Sequence, residues 1–551
     1  MPVHVRDRWD AVARTPMLAG VTPFRFALAA ALVATFVTAP AVWAGARTPA
    51  DVLVIAKDID DTISLDPAEA FEFSSIEVVD NVYDRLVLYD VEDPTRLVGG
   101  MAERWSVEGD RWHFHLRPGL TFQSGRPVTA DDVVWSLRRV VTLNREPAFI
   151  LSQLGWNAAN AAEMITSPAP DQVVLRIAAP YAPGLILTLL SNSAASILDR
   201  AAVEPHAIGN DMGNTWLKSH SAGSGAFVLD AWRPGEFILL TRFEGFRTGP
   251  APMRRIVIRH VKEPASQRLM LAKGDVDVAR NLTTDQIAAV EHMPGLTVAL
   301  NPRMDVYYLG LNQRDPVLSR PQVRRALRWL IDYEGIGNSF GRGRLLPHQA
   351  FWPRGFGPSL DAMPFTLDPD RARALLAEAE LEGGIELTLE AANSFPASQV
   401  AQSIQNTFAR AGITLSILPG TERQILTRYR ARRHQMVLLH WAADYPDPHT
   451  NADAFANNAD NSDGASVKSL AWRNAWDIPD LSALTREAAQ EWEAEPRTAR
   501  YLDLQARVQA DSAYVVMFQT VDQMAMRDRV SGLVFGPSSL FFRLVRKDAA
   551  P

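Results

Sequence analysis

The run Val437-Leu438-Leu439 reads as a buried strand that empties into His440-Trp441-Ala442-Ala443-Asp444-Tyr445-Pro446-Asp447-Pro448. Ligands of open α/β sheets sit beyond the carboxyl ends of strands, so an indole and a carboxylate three residues apart at such a point are a natural place for binding chemistry. Tryptophan offers broad apolar contact at little entropic cost. Position alone leaves a plainer reading open. Asp444 and Asp447 also read as loop-capping residues beside prolines, and Trp441 as core, since Asp and Pro are ordinary turn formers.

Other chemistries find weaker support. A metallopeptidase needs His-Glu-x-x-His, and no such run exists among the eleven histidines. His113 with His115, or His434, His440 and His449 around the same loop, could in principle gather a metal; scattered histidines are more often solvated or hydrogen-bonded, and no metal or cofactor is expected. A serine hydrolase needs Gly-x-Ser-x-Gly, whereas Ala222-Gly223-Ser224-Gly225 lacks the first glycine and fits a turn. The chain has no cysteine, which excludes disulfides, thiolate metal sites, cysteine nucleophiles and a lipid-modified cysteine at a processed N-terminus.

The elements that must position the loop belong to a large chain. At 551 residues it exceeds what one core normally supports, so two or more lobes are expected. Apolar residues make up 47% and charged residues 22%, a globular balance. Arg6, Arg8, Arg14 and Arg25 precede or flank an apolar run from Phe26 to Val42, and small residues follow, so residues 1 to 46 read as a cleavable export signal cut after Ala44 or Ala46. An uncleaved anchor is the alternative, although Thr35, Thr38 and Pro40 interrupt the run. Without residues 1 to 46 the chain keeps 52 basic and 61 acidic side chains, a mildly acidic body that disfavours nucleic acid as partner.

Short apolar runs of strand type occur at Val52 to Ala56, Val173 to Ile177, Ile256 to Val261, Val306 to Leu311 and Val515 to Phe518. Thr129-Ala130-Asp131-Asp132 resembles a capping box, with Val133, Leu137, Val140 and Val141 on one helical face. Asp368-Pro369 opens another helix, whose stripe is Ala372, Leu375, Leu376 and Ala379. From Ile385 to Leu418 an alternating strand, a helix with Val400, Ile404 and Phe408 inward, Gly412 and a second alternating strand spell a βαβ unit. The alternation over the C-terminal half predicts an α/β lobe.

With these elements placed, several segments resemble the family-5 extracellular solute-binding proteins of ABC importers, the group containing oligopeptide-, dipeptide- and nickel-binding proteins. The most specific stretch is Gly100 to Trp105, Phe114 to Phe122 and Gly125 to Leu137. In the same order follow Leu65-Asp66-Pro67 with Asn81 to Leu86 upstream, then Gly223 to Phe227 with Trp232 to Glu236, Tyr308 to Asn312, Val323 to Leu327 before Ile331-Asp332, and Trp441 to Pro448. The resemblance spans nearly the whole chain after the signal.

It implies a two-lobed periplasmic-binding-protein fold, type II and cluster C-like, with an extra domain on the first lobe. Lobe I would comprise residues 47 to 88, 218 to 309 and 525 to 551, the extra domain residues 89 to 217, and lobe II residues 310 to 524. Val306 to Asn312 and Ala513 to Gln523 would cross between the lobes and absorb hinge motion. The function implied is a monomeric periplasmic receptor, not an enzyme, that hands a peptide or small amine-bearing solute to permease subunits in the inner membrane. No phosphate-cradling loop is present, so ATP hydrolysis would fall to a separate subunit.

In the peptide-binding members a similar Trp-x-x-Asp-Tyr segment supplies a tryptophan wall and an aspartate that pairs with the ligand's amino terminus, positions matched here by Trp441, Asp444 and Tyr445. Asn312 joins the candidates, as do Ser74 and Ser75, which lie where related proteins run a strand along the ligand backbone; serines before a helix are more often caps than ligands. An ammonium removed from water needs an anionic acceptor, and a closed cleft strengthens that bond. Some relatives place an arginine three residues before the tryptophan, where this chain has Leu438. Arg428, Arg430, Arg432 and Arg433 read as an exposed charged face, with carboxylate recognition as the alternative. A metal chelate, an opine or an oligosaccharide are rival cargoes on the same fold; a secreted hydrolase and an anchored sensor subunit are rivals outside it.

Overall fold

The computed structural model describes residues 48–93, 95–178, 180–536 and 539–548. The expected signal lies outside them. Its main feature is an 11-stranded mixed sheet. From one edge the order is Ile413–Gly420, Ile385–Ala392, Met436–Ala442, Leu296–Leu311, Tyr514–Arg527, Val278–Ala279, Val52–Lys57, Arg255–His260, Phe237–Arg242 and Phe227–Arg233, with Leu345–Pro347 attached to Tyr514–Arg527.

The two long central strands divide this sheet. At one end Leu296 faces Arg527, beside the short strand Val278–Ala279 and the parallel pair Val52–Lys57 and Arg255–His260. At the other end Gly310 faces Tyr514, and Leu309 also faces Leu438 of the strand that carries the candidate loop. Separate apolar cores follow the division. One gathers Leu53, Ile55, Ile256 and Met524; another gathers Leu309, Leu387, Leu389 and Met517.

The central strands are longer than sequence reading expects, by ten residues at the start of Leu296–Leu311. Pro302 does not end the strand, because a proline is tolerated at an irregular ladder position. The register shifts there: Pro302 faces Val521 and Val306 faces Gln519, so Arg303, Met304 and Asp305 are set out of the ladder with Tyr514–Arg527. Asn312 falls just beyond the strand end.

The βαβ unit forms as its pattern dictates. Ile385–Ala392 and Ile413–Gly420 are parallel, and the helix Ala397–Ala409 between them buries Val400, Ile404 and Phe408. Gly412 takes a positive φ of 83°, the left-handed turn that a side chain would strain. A separate four-stranded sheet, Ala102–Glu108, Arg111–Leu116, Gln172–Arg176 and Ile165–Ala169, packs with the helix Ala130–Leu143. At that helix start the Thr129 N–H donates to the Asp132 carboxylate at 3.0 Å, and Val133, Leu137, Val140 and Val141 are buried. Among the described residues no helix is long and apolar enough to cross a membrane.

Candidate functional site

Met436–Ala442 is buried through Leu439 and emerges at His440, so the chain leaves the sheet where its last residues pair with the interrupted part of Leu296–Leu311. Asp305 faces Ala442, and the Ala443 N–H donates to the Met304 carbonyl at 2.8 Å. The loop then turns into the helix Pro448–Ala456, capped by Asp447, whose carboxylate accepts from the His449 N–H at 2.9 Å. Asp447 also accepts from Arg497 at 2.7 and 2.9 Å. The plain capping reading therefore holds for Asp447.

Asp444 differs. Its main-chain carbonyl accepts from Asn192 Nδ2 at 3.2 Å, which fixes the backbone and leaves the carboxylate free to point elsewhere. Among the described residues that carboxylate accepts one long contact, from Thr450 Oγ1 at 3.4 Å, and no lysine, arginine or histidine pairs with it. Burial pushes its pKa up to about 7; the Thr450 contact opposes this, and nearby Asp453 adds to it. A carboxylate desolvated without a cation is electrostatically incomplete.

The neighbours of Asp444 are more ordinary. Trp441 is half-buried and donates from Nε1 to Asn451 Oδ1 at 3.1 Å, so its ring is fixed in orientation. Tyr445 is buried among the residues of the small-sheet core and donates to Gln153 Oε1 at 3.0 Å. Burial raises its hydroxyl pKa well above the usual tyrosine range. Asp444, Trp441 and Tyr445 are thus brought to one loop, anchored on both sides.

Ser74 and Ser75 are placed differently from expectation. They form the first turn of the helix Phe73–Val82, not an extended segment, because Val78, Val79 and Val82 recur at helical spacing and are buried. The extended residue is Glu72, at the helix entry, with φ −79° and ψ 151°. Both serine hydroxyls are buried without a hydrogen-bond partner, and the Ser74 N–H donates to Asp61 Oδ2 at 3.0 Å. Phe73 beside them is 44% exposed, an unusual setting for phenylalanine that puts its ring in the cleft wall.

Asn312 is not brought to this place. Its side-chain amide donates to the carbonyls of Arg432 and His434 at 3.1 and 2.7 Å and its oxygen accepts from the Arg314 N–H, so it ties the opposite end of Met436–Ala442. Nor do the four arginines form one exposed face. Arg432 is buried, bonded to Asn461 and Asp463 and lying 4.4 Å above the Trp472 ring, while Arg428 donates to Glu390.

His434, His440 and His449 do not converge on a common metal position among the described residues; the group close enough to do so is Asp58, Asp60 and His260, which Lys262 already neutralises in part at 3.2 Å from Asp60. Burial would lower the His440 pKa, but Asp305 at 3.2 Å and Glu422 at 3.4 Å push it up to about 10. Gly223 and Gly225 press against the end of the Phe73–Val82 helix, where a Cβ on Gly225 would meet the Val82 carbonyl carbon at 2.6 Å, and Ser224 Oγ has no partner. The turn reading of that segment fits; a hydrolase reading does not.

Sequence reading missed a second set of groups beside the loop: Lys57, Glu77, Arg280, Arg303 and Asp522, which line a cavity of about 60 Å3 together with Ala442 and Ala443. These residues are up to several hundred positions apart, and no local motif links them.

Comparison with known proteins agrees with this architecture. The family model described as bacterial extracellular solute-binding proteins, family 5 Middle, matches residues 96–463. The probable D,D-dipeptide-binding periplasmic protein DdpA of Escherichia coli is 29% identical over 90% of this chain and 93% of its own length. The peptide transport periplasmic protein SapA of Salmonella typhimurium is 26% identical over 83% and 84%. Among solved structures, HbpA2 from Haemophilus parasuis superposes with a TM-score of 0.77 at 21% identity, covering 90% of this chain and all of that one. The periplasmic binding protein DppA from Helicobacter pylori, in complex with the peptide STSA, gives 0.73 at 21% identity, covering 90% and 98%. The fold is the two-lobed α/β binding-protein architecture. With most of its length matched by the family model, the chain belongs to family 5 of the bacterial extracellular solute-binding proteins, a family of receptors and not of enzymes.

Proposed function

We propose that this chain is the periplasmic receptor of an ABC importer, which captures a short peptide by its ammonium terminus at Asp444 and delivers it to a membrane permease. The observation that carries the reading is the half-buried Asp444 carboxylate, which has no cation partner among the described residues and lies three positions from Trp441 in the same segment. A ligand ammonium would complete it with a charge-assisted hydrogen bond. The similarity to DdpA, a probable D,D-dipeptide-binding protein, and to SapA, a peptide transport protein, supports a peptide as cargo.

In this reading the strands around Val52–Lys57 form lobe I and those around Met436–Ala442 form lobe II, with proposed limits at 47 to 88, 218 to 309 and 525 to 551 for the first and 310 to 524 for the second. Residues 89 to 217 form the extra domain. The paired strands Leu296–Leu311 and Tyr514–Arg527 are the hinge, since they cross from one apolar core to the other. Ligand shifts an open-to-closed equilibrium by its differential affinity for the closed form. The receptor is exported by its N-terminal signal, works as a monomer and leaves ATP hydrolysis to its partner.

Native mass spectrometry of gently purified protein tests this. Co-purifying masses that fragment as peptides with free amino termini are expected; a retained ligand without an amine overturns the reading.

A further inference from the structure

One turn beyond the cleft wall, the helix Phe73–Val82 borders a second cavity. Phe73 and Glu77 line the small cavity beside Ala442, whereas Asp80 and Asn81 line another of about 200 Å3, and the two share no lining residue. Ser539 lines the first and donates to Asp80 at 2.5 Å, so a polar wall stands between them. The second cavity is bounded mainly by Leu88 and Tyr89, by Ser191 to Ser193 and by Phe541 and Arg543; Pro446 closes it from the Asp444 loop.

Three arginines and three aspartates line it, and each of the acids is already met. Asp80 accepts from Arg85 and from Ser193, each at 2.7 Å. Asp84 accepts from Arg247 at 3.1 Å, and Asp90 from Arg96, which stands outside the lining, and from the Glu92 N–H. Arg543 is left over. Its side chain forms no hydrogen bond or ion pair among the described residues, and its Nε is buried without a partner. Burial lowers its pKa, and Arg247 pushes the same way; Asp84, Asp90 and the exposed Glu92 oppose this without coming within ion-pair range. A guanidinium so placed has five N–H donors and a call on an incoming acid.

The backbone at Arg543 is held in place. Its neighbour Phe542 is buried, donates its N–H to Asn81 Oδ1 at 2.9 Å and sets its ring edge-on to Phe227 at 6.5 Å. A donor fork positioned in advance loses little freedom when it meets a planar acid. The rest of the lining includes Tyr83, Leu88, Val91, Val98, Phe246 and Phe541, side chains that favour an apolar body over a hydrated ion. A cavity of roughly 150 Å3 already admits a benzene ring. One unmet cation among three aspartates suits a monoanion, since a doubly charged group would leave a buried charge uncompensated.

We propose that this cavity is a second ligand site, in which the Arg543 guanidinium receives the carboxylate of a small ring-bearing organic acid, separate from the cargo captured at Asp444. The site is independent of the choice of cargo. The two sites touch only through the protein: Pro446 lies two residues after Asp444, and Asn192, also in the lining, holds the Asp444 carbonyl.

The test titrates the full processed protein with para-fluorobenzoate and with its neutral isostere para-fluorobenzamide, followed by fluorine NMR. The wild type is expected to bind the acid at least about tenfold more tightly than the amide. Arg543→Gln should bring the two within about threefold, and Arg543→Lys should keep part of the preference, with melting curves like the wild type's to show that both variants are folded. Arg303→Gln should leave the preference unchanged, because Arg303 lines the cleft cavity instead. Absence of binding by the acid, equal affinity of the wild type for acid and amide, an undiminished preference in Arg543→Gln, or loss of the preference in Arg303→Gln overturns the second site. Each of these results leaves the assignment of Asp444 standing.

Discussion

The Asn192 side-chain amide donates to the main-chain carbonyl of Asp444 at 3.2 Å, joining the region of the four-stranded sheet to the loop that follows Met436–Ala442. The bond uses backbone, so the aspartate is positioned without being neutralised.

Binding of an amine ligand should depend on pH in a bell shape. The free Asp444 carboxyl has its pKa raised to about 7, and an ammonium ligand favours its ionised form, so complex formation releases a proton at pH 6. Affinity should fall by up to about tenfold per pH unit below 7, and fall again above about 8 as an α-amino group loses its proton. Calorimetry in buffers of different ionisation enthalpy measures the proton release. In Asp444→Asn the acid limb should vanish along with most of the affinity.

The same variant should stabilise the ligand-free protein. A carboxyl whose folded pKa lies above its unfolded value of 3.8 binds more protons when folded, so its contribution to stability declines as pH rises from about 4 to 7. Asp444→Asn should raise the melting midpoint at pH 8, on the order of 1–2 °C in a chain this large, and change it little at pH 4. Differential scanning calorimetry at the two pH values checks this.

Tyr445→Phe should weaken binding without touching the ligand. Its hydroxyl bonds Gln153 across from the small-sheet region, and a net loss of about 0.5–1.5 kcal/mol corresponds to roughly two- to tenfold in affinity if the bond belongs to the closed form. Small-angle scattering of the saturated variant should show a larger open fraction than the wild type.

Arg139 and Asp66 form a fully buried bidentate pair, 2.8 and 2.6 Å, that also accepts from Asn214 Nδ2 at 2.7 Å. Removing one partner strands the other charge. Arg139→Met should cost about 3–5 kcal/mol in urea unfolding, and Asp66→Asn added to it should restore part of the loss.

How much of this could be read from the chain differs by element. The βαβ unit was legible because alternation at Ile385, Leu387 and Leu389 and the helical spacing of Val400, Ile404 and Phe408 are local signals of burial. The first part of Leu296–Leu311 was not, since Pro302 and the polar Asn301 and Arg303 mask a strand whose partner lies more than two hundred residues away. Ser74 and Ser75 fall in the first turn of a helix, where a short polar pair carries no period that separates a helix start from a strand beside a ligand. Asp444 is a candidate by type and position, and the resemblance favours it over the loop-capping reading. Its missing partner is a property of the folded surroundings, and Arg303 drew no notice because its acid, Asp522, is 219 residues distant.

Calorimetric titration of one retained peptide against its N-acetylated form, in wild type and in Asp444→Asn, tests the central claim most directly. Acetylation should weaken wild-type binding by about 2–5 kcal/mol, and Asp444→Asn should lose a similar amount for the free peptide while barely distinguishing the two forms. Equal affinity of the wild type for both forms, or full affinity in Asp444→Asn, would contradict the assignment of Asp444 to the ligand ammonium.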